Sequence, residues 1–323
     1  RDFLRRNRDD MIAKLKEMLP NPPQWDQTKH AEYTDMARVE YSSKRSHQQV
    51  QKKLDSIDPD QPEYVSRASN KQQRIKKVGK KGADAVPGQI IYLFGFQVTM
   101  EDAPYYLFIE KEVIPAFPPN IHFYARQSPD EFRKVFLSSV VTGRGMYGSD
   151  VTRWDVGCDA GMLHFDLFAF RYFGLPEEFI QSYTERQLRH TNQYGVEARK
   201  QMSGDRGTWT NNTIRRAVVT ALVTGLKDDE NLFVCGDDAL IDADKQASAF
   251  PDSVWQFKDE RGPQVEFCGY EFHTHGTMTY SPIGLLYRIW IIKEAQVPQK
   301  EVWRGYLDLL AEVTTDEPEA IQC

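Results

Sequence analysis

Residues 231–242, Asn-Leu-Phe-Val-Cys-Gly-Asp-Asp-Ala-Leu-Ile-Asp, set two adjacent carboxylates between short apolar runs, Leu232–Cys235 and Ala239–Ile241. The pattern predicts a β-hairpin with Asp237 and Asp238 at its turn. Neighbouring acids repel, so keeping both ionised needs a counter-charge, and a divalent cation is the commonest one. Gly and Asp are also ordinary turn formers, and a lone Gly-Asp-Asp reads first as a turn and nothing more. The stretches around it decide between the two.

Further acids stand in Tyr147-Gly-Ser-Asp150-Val-Thr-Arg-Trp-Asp155, which puts Asp150 at a strand end and Asp155 on the turn leaving it. The two need not face the same way, so they can serve different partners. Asp159 opens the next helix, where an acid suits the N-terminal dipole, and it reads as structural. Ser203-Gly-Asp-Arg-Gly-Thr208-Trp-Thr-Asn-Asn212-Thr213 then runs into a helical pattern over Ile214–Leu226. Ser203 and Gly204 form a flexible lead-in. Thr208 and Asn212 are four apart and share one helix face. Helix capping and back-bonding explain either residue alone, but a hydroxyl and an amide on one face also suit holding a ribose hydroxyl and steering a carboxylate. Lys258, twenty residues past Asp238, reads as a solvated surface lysine or as a working cation. His273 and His275 lie near Cys268, but with no second cysteine pair they read as ordinary hairpin histidines rather than zinc ligands.

The elements that hold these residues follow from the rest of the chain. With 323 residues and 40% hydrophobic content it can bury a large core, as one elaborate domain or two fused ones. A net charge of −6 argues against a uniformly basic protein. Yet Ser66–Ala83 carries Arg67, Lys71, Arg74, Lys76, Lys77, Lys80 and Lys81 without one acid, which suggests a polyanion channel. No apolar stretch reaches membrane-span length; the best, Ile283–Ile292, is short and contains Arg288. The four cysteines show no paired spacing and read as reduced thiols. The start, Arg-Asp-Phe-Leu-Arg-Arg, has no signal-peptide pattern and suggests a piece of a longer polypeptide. Helical patterns are predicted over Asp10–Leu19, Tyr105–Phe117, 129–142 and Met162–Phe173, with Ser42–Lys53 a polar helix or loop. Strands are predicted over Ile121–Ala125 and Val265–Phe272, the latter turning at His275-Gly276 and returning through Thr277–Tyr280.

Taken together, Asp150-x4-Asp155, Ser203-Gly-x3-Thr208-x3-Asn212, Gly236-Asp-Asp, Lys258 and Phe267-Cys268-Gly269 resemble motifs A, B, C, D and E of viral RNA-dependent RNA polymerases, in the family's order. The basic segment 71–81 followed by Gly88-Gln89 resembles motif F. The likeness covers roughly residues 70–292 and is nearest to the tymovirus and flexivirus-like replicases of the alphavirus-like supergroup. Two features depart from the family. Trp154 and Val156-Gly-Cys158 replace the commoner aromatic-Asp-x-Ser-Gln, and Val86 stands where a basic residue often precedes the Gly-Gln.

The resemblance implies an α+β right-hand fold with fingers, palm and thumb, the palm an antiparallel sheet backed by helices. Residues 1–65 would be an N-terminal fingers or connecting segment and 66–146 fingers with motif F. Residues 147–280 would be palm, with part of the fingers inserted at about 175–200, and 281–323 the start of the thumb. It implies two Mg²⁺ or Mn²⁺ ions on Asp150 and Asp237, with Asp238 assisting or holding the primer end, and Lys258 protonating departing pyrophosphate. Asp155, braced by Thr208 and Asn212 with the Ser203-Gly204 loop, would read the incoming 2′-hydroxyl. Arg74, Lys76, Lys77, Lys80 and Lys81 would face triphosphate and template, and Phe267, Cys268 and Gly269 would grip the primer. Implied partners are an RNA template and nascent strand, nucleoside triphosphates, and capping and helicase domains of the same polyprotein. The implied setting is membrane-associated replication complexes in host cytoplasm. A two-metal nuclease and a non-catalytic RNA-binding palm are the rival readings. A reverse transcriptase is disfavoured by Gly236 before the acids and by Asn212.

Overall fold

The computed structural model describes residues 2–280 except 44, 58–59, 61, 71–89, 126, 142, 153, 197–200, 246–255 and 275. Arg74, Lys76, Lys77, Lys80, Lys81, His275 and the expected thumb segment 281–323 therefore lie outside the described residues.

The chain begins with helices α1 (Asp2–Met18), α2 (His30–Ser43) and α3 (His47–Leu54). Strands β1 (Ser66–Asn70) and β2 (Ile90–Phe94) pair antiparallel, and α4 (Phe96–Phe108) follows. Next come β3 (Ile121–Phe123), α5 (Pro129–Ser139), β4 (Met146–Thr152), the single turn α6 (Trp154–Gly157), α7 (Ala160–Tyr172) and α8 (Glu177–Arg189). A two-residue pair, β5 (Thr191–Asn192) and β6 (Gly195–Val196), precedes the long helix α9 (Thr208–Thr224). Strands β7 (Leu232–Cys235), β8 (Asp238–Ile241), β9 (Gln256–Gly262), β10 (Gln264–Phe267), β11 (Tyr270–His273) and β12 (Thr277–Tyr280) complete the described part.

The central sheet has the order β3-β7-β8-β4-β9, antiparallel except where β3 meets β7. It is covered on both sides, and strand alternation divides its residues. Leu232, Val234, Ala239, Ile241, Tyr147 and Val151 join the main core with Ala217, Val218 and Ala221 of α9. Phe233, Leu240 and Met146 instead meet Phe132 and Phe136 of α5 and the side chains of the small sheet β10-β11-β12. Two apolar faces explain why β7 reads as a continuous apolar run. Each fully buried side chain contributes roughly 1.5–3 kcal/mol.

Local signals set the helix starts. Ser128 and Glu131 form a capping box on α5, with Pro129 in its first turn. Asp159 caps α7, accepting from the Gly161 N–H at 2.8 Å, as its structural reading requires. The polar stretch around Ser42–Lys53 contains α3, whose own capping box joins Ser46 and Gln49.

Two sequence expectations change, and one segment without a predicted element takes a defined form. The helix expected over Tyr105–Phe117 starts at Phe96, ends as α4 at Phe108, and continues through a π-turn, Ile109–Val113, and a 3₁₀ turn, Ile114–Ala116. The polar segment around Lys258 is the strand β9, held by seven register pairs to β4. Val265–Phe272 is not one strand but two, folded back at Cys268-Gly269 with Phe267 opposite Tyr270. Both turn residues have positive φ, 53° for Cys268 and 83° for Gly269, as a type I′ hairpin demands.

Candidate functional site

The hairpin β7–β8 closes on two residues, Gly236 and Asp237, between the paired Cys235 and Asp238. Gly236 sits at φ +61°, which suits a glycine at the first position of a II′ turn. Both ends of the hairpin are pinned. At the base, the buried carboxylate of Asp242 accepts from the Asn231 backbone at 2.6 Å and its amide at 2.8 Å. At the tip, the Gly236 N–H donates to the Thr213 hydroxyl of α9 at 2.9 Å.

Beside the hairpin runs β4, with Ser149 opposite Ala239. One further step of that register brings Asp150 level with Asp238. Alternation places both on the sheet face of Met146 and Leu240, while Asp237 is exposed at the tip. On the other edge of β4 the backbone partner of Asp150 is Lys258. Four expected residues, from motifs A, C and D, thus converge at one end of the sheet.

Their electrostatics agree with that register. The Asp238 carboxyl is pushed up to about 6, first by burial, then by Asp237 and Asp150, against a lowering by the Cys268 thiol and Arg216. Arg216 lies fully buried under this end of the sheet. It donates to the Ser149 carbonyl at 2.8 Å and also to the Ser149 hydroxyl, while its Nε and Nη1 have no hydrogen-bond partner among the described residues. Burial lowers its guanidinium to about 10, opposed by Tyr147 and by the three aspartates, so it stays cationic at neutral pH. Its charge is also 5.8 Å from the Trp154 ring centre and 5.5 Å from that of Phe257. Sequence reasoning passed over Thr213 and Arg216, which no local pattern in the polar first half of α9 sets apart.

Cys268 approaches Asp238 and Cys235 from the β10–β11 turn, so Phe267-Cys268-Gly269 borders the same cluster. Its thiol is raised by its hydrogen bond with Cys235 and by burial. Cys158, Cys235 and Cys268 are free thiols.

The Ser203–Asn212 stretch forms the next wall. The Ser203 carbonyl accepts from the Tyr92 N–H at 2.7 Å. A Cβ at Gly204 would come within 2.4 Å of the Tyr92 carbonyl, so the loop lies directly on β2. Asp205 turns the chain into α9, its carboxylate accepting from the Gly207 N–H at 3.0 Å. Glu110 ties the loop to the π-turn after α4 through Arg206 at 3.0 Å and Thr210 at 2.8 Å. Thr208 donates to the Met202 carbonyl at 2.8 Å, while the Asn212 amide oxygen accepts from Arg215 at 3.0 Å. Asp155 is half-buried on α6, and its carbonyl accepts from the Gln201 N–H at 3.0 Å.

Among the described residues no three acid, imidazole or thiolate groups form a closed ligand set. Mg²⁺ does not require one: it takes one or two carboxylates beside water and phosphate. Hard oxygen donors, crowded enough to raise Asp238, fit such a cation.

A family described as RNA dependent RNA polymerase matches residues 4–259. The chain is 28% identical over 150 residues to the RNA replication protein of Botrytis virus F, covering 46% of this chain and 8% of that protein. It is 27% identical over 230 residues to the RNA replication protein of Potato virus S, covering 70% of this chain and 65% of that protein. Likeness to the protein named RNA-directed RNA polymerase of Apple chlorotic leaf spot virus is 26% over 168 residues, covering 52% of this chain and 9% of that protein. The chain therefore spans from under a tenth to about two thirds of these relatives. Among the described residues no helix is long and apolar enough to cross a membrane.

Proposed function

The chain belongs to the RNA-dependent RNA polymerase family of alphavirus-like positive-strand viruses, and from that premise we propose that it extends RNA from nucleoside triphosphates on an RNA template. The observation that carries this reading is the β4–β8 register, which sets Asp150 level with Asp238 beside the exposed Asp237. The palm is residues 147–280, whose strands β4, β7, β8 and β9 are joined at the sheet edge by β3 from the preceding segment, with fingers before it and within it at about 175–200.

Asp150 and Asp237 hold divalent cations, Mg²⁺ or Mn²⁺, with Asp238 assisting. Such ions, when bound, would make the ribose 3′-hydroxyl a better nucleophile and neutralise the charge of the leaving pyrophosphate. The protein's own part is to hold carboxylates on a rigid sheet. Arg216 offsets their repulsion from below and fixes the backbone at Ser149, one residue before Asp150. Burial and crowding raise the Asp238 carboxyl to about 6, which still leaves it mostly ionised at neutral pH and ready to meet a cation. Lys258, paired through the backbone with Asp150, supplies the proton to the departing pyrophosphate. Asp155, Thr208 and Asn212 read the ribose, and Phe267-Cys268-Gly269 steadies the primer end. The basic residues 74–81 screen triphosphate and template. Template RNA, nascent strand and other replicase domains are the partners; relatives named RNA replication polyprotein support the last of these. Host cytoplasm is the setting.

The test is incorporation of labelled ribonucleotides on homopolymer RNA by purified protein. The reading expects template-dependent incorporation that needs Mg²⁺ or Mn²⁺. RNA shortening without nucleotide addition points instead to a nuclease, and salt-sensitive RNA binding without incorporation to a non-catalytic palm.

A further inference from the structure

Arg215 sits three residues past Asn212 on α9, 2% exposed, where a charge is costly unless every donor is used. Its partners are unusually directed. Nε donates to Asp166 at 2.8 Å and Nη2 to the other oxygen of the same carboxylate, forming a bidentate pair. Nη1 turns the opposite way, to the Gln201 amide oxygen at 2.6 Å and the Asn212 amide oxygen at 3.0 Å, with the Cys158 sulfur at 3.5 Å. Gln201 continues the chain: its side-chain amide donates to the Thr208 hydroxyl at 3.3 Å and its backbone N–H to the Asp155 carbonyl at 3.0 Å. One guanidinium therefore touches Asn212 directly and Thr208 and Asp155 through a single intermediate residue.

An amide side chain has an accepting end and a donating end that are nearly alike in shape, so something must decide which end faces a ligand. A guanidinium can only donate. It pins the oxygen of Asn212 toward Arg215 and leaves the NH₂ end to address what lies beyond. An NH₂ group can donate to the oxygen of a ribose 2′-hydroxyl or to a carboxylate beside it, whereas the flipped amide would offer a second acceptor to a group already facing Asp155.

We infer that Arg215 is a positioning residue for ribose selection: anchored on Asp166, it fixes the amide of Asn212 and, through Gln201, the seats of Thr208 and Asp155, without touching the nucleotide. The inference rests on the reading of Asn212 as a ribose-sensing residue. It assigns discrimination against deoxynucleotides to an ion pair buried behind the site.

The experiment compares ribo- with deoxyribonucleotide incorporation, as the ratio of kcat/KM, in Arg215→Lys, Asp166→Asn, Asn212→Ala and Tyr183→Phe, alongside thermal melts. Tyr183→Phe is the matched control. It removes the 2.9 Å bond from the Tyr183 hydroxyl to Asp166 and the 3.2 Å bond from Asn211, loosening the same network away from Asn212. Arg215→Lys is expected to lower the ratio about tenfold, the worth of one well-aimed hydrogen bond, chiefly by raising KM for the ribonucleotide. Tyr183→Phe leaves the ratio unchanged at a comparable Tm. If Arg215→Lys does not fold, Asp166→Asn, which releases the guanidinium while keeping it, carries the same expectation. An unchanged ratio in Arg215→Lys and Asp166→Asn, with Asn212→Ala lowered, overturns the inference and spares the reading beneath it. An equal fall in Tyr183→Phe assigns the effect to a loosened fold and overturns it too. An unchanged ratio in Asn212→Ala overturns the ribose reading, and this inference with it.

Discussion

The backbone N–H of Gly236 donates to the hydroxyl of Thr213 at 2.9 Å, so the helix carrying Asn212 also grips the turn carrying Asp237. The wall proposed to read the nucleotide and the tip proposed to hold cations are thereby one mechanical unit. Thr213 completes the link by donating to the Trp209 carbonyl at 2.7 Å.

Thr213→Val removes that acceptor and leaves a half-buried N–H unpaired at the tip. It should cost about 1–3 kcal/mol of stability and slow incorporation by more than its Tm loss accounts for. Thr213→Ser keeps the oxygen and should retain most activity. Melting curves and single-nucleotide incorporation rates check both; equal activity in the two variants contradicts the link.

Crowding at Asp238 makes a pH-dependent prediction. Its folded-state carboxyl lies at about 6, above the ordinary 3.8, so ionisation opposes folding, and the penalty is complete only above that range. In chelator, Asp238→Asn should therefore be more stable than the parent at pH 8 by about 1–2 kcal/mol, allowing for partial exposure. The advantage should fade as pH falls from about 6 towards 4. Added Mn²⁺ should reverse the order at pH 8 by stabilising only the parent. Denaturant melts across pH read the result; a variant less stable at pH 8 in chelator rejects the crowding.

The turn at Cys268-Gly269 sets opposite signs on two substitutions. Cys268 has φ 53° and Gly269 φ 83°. Gly269→Ala should cost about 1–2 kcal/mol, because a Cβ is strained there. Cys268→Asn should match or exceed the parent, since Asn-Gly is the preferred I′ pair. Thermal melts decide; a continuous strand through this segment predicts the reverse order.

How far these features could be read from the sequence varied with the kind of signal. The hairpin tip was plain, since a glycine and two acids between apolar runs leave little else to fold. The Cys268-Gly269 turn was hidden because cysteine is no usual turn former. A trace existed: buried apolar positions are odd at Val265 and Phe267 and even at Tyr270 and Phe272, and such a parity change marks an inserted turn. Strand β9 has no comparable trace. Gln-Phe-Lys-Asp-Glu-Arg-Gly lacks apolar alternation, and its place is fixed by pairing with β4 alone. Arg215 and Arg216 were equally silent. Their partners, Asp166 and Ser149, lie 49 and 67 residues away, which no local pattern reports.

A prediction for the buried cation follows from Ser149. Arg216→Met strips the donor from its carbonyl and removes the charge that offsets the aspartates. It should destabilise the protein by about 3 kcal/mol, and more in chelator than in saturating Mn²⁺, because a bound cation takes over part of the neutralisation. Paired melts with and without Mn²⁺ measure this; a loss independent of the ion reduces Arg216 to packing alone.

The most direct measurement is primer extension with labelled ribonucleotides by the parent, Asp150→Ala and Asp237→Ala, in saturating Mg²⁺ and with melts to show that each is folded. The account predicts that both variants fall by about a thousandfold or more, in keeping with several kcal/mol of transition-state stabilisation lost with the ions. Extension by folded Asp237→Ala at the parent's rate contradicts it.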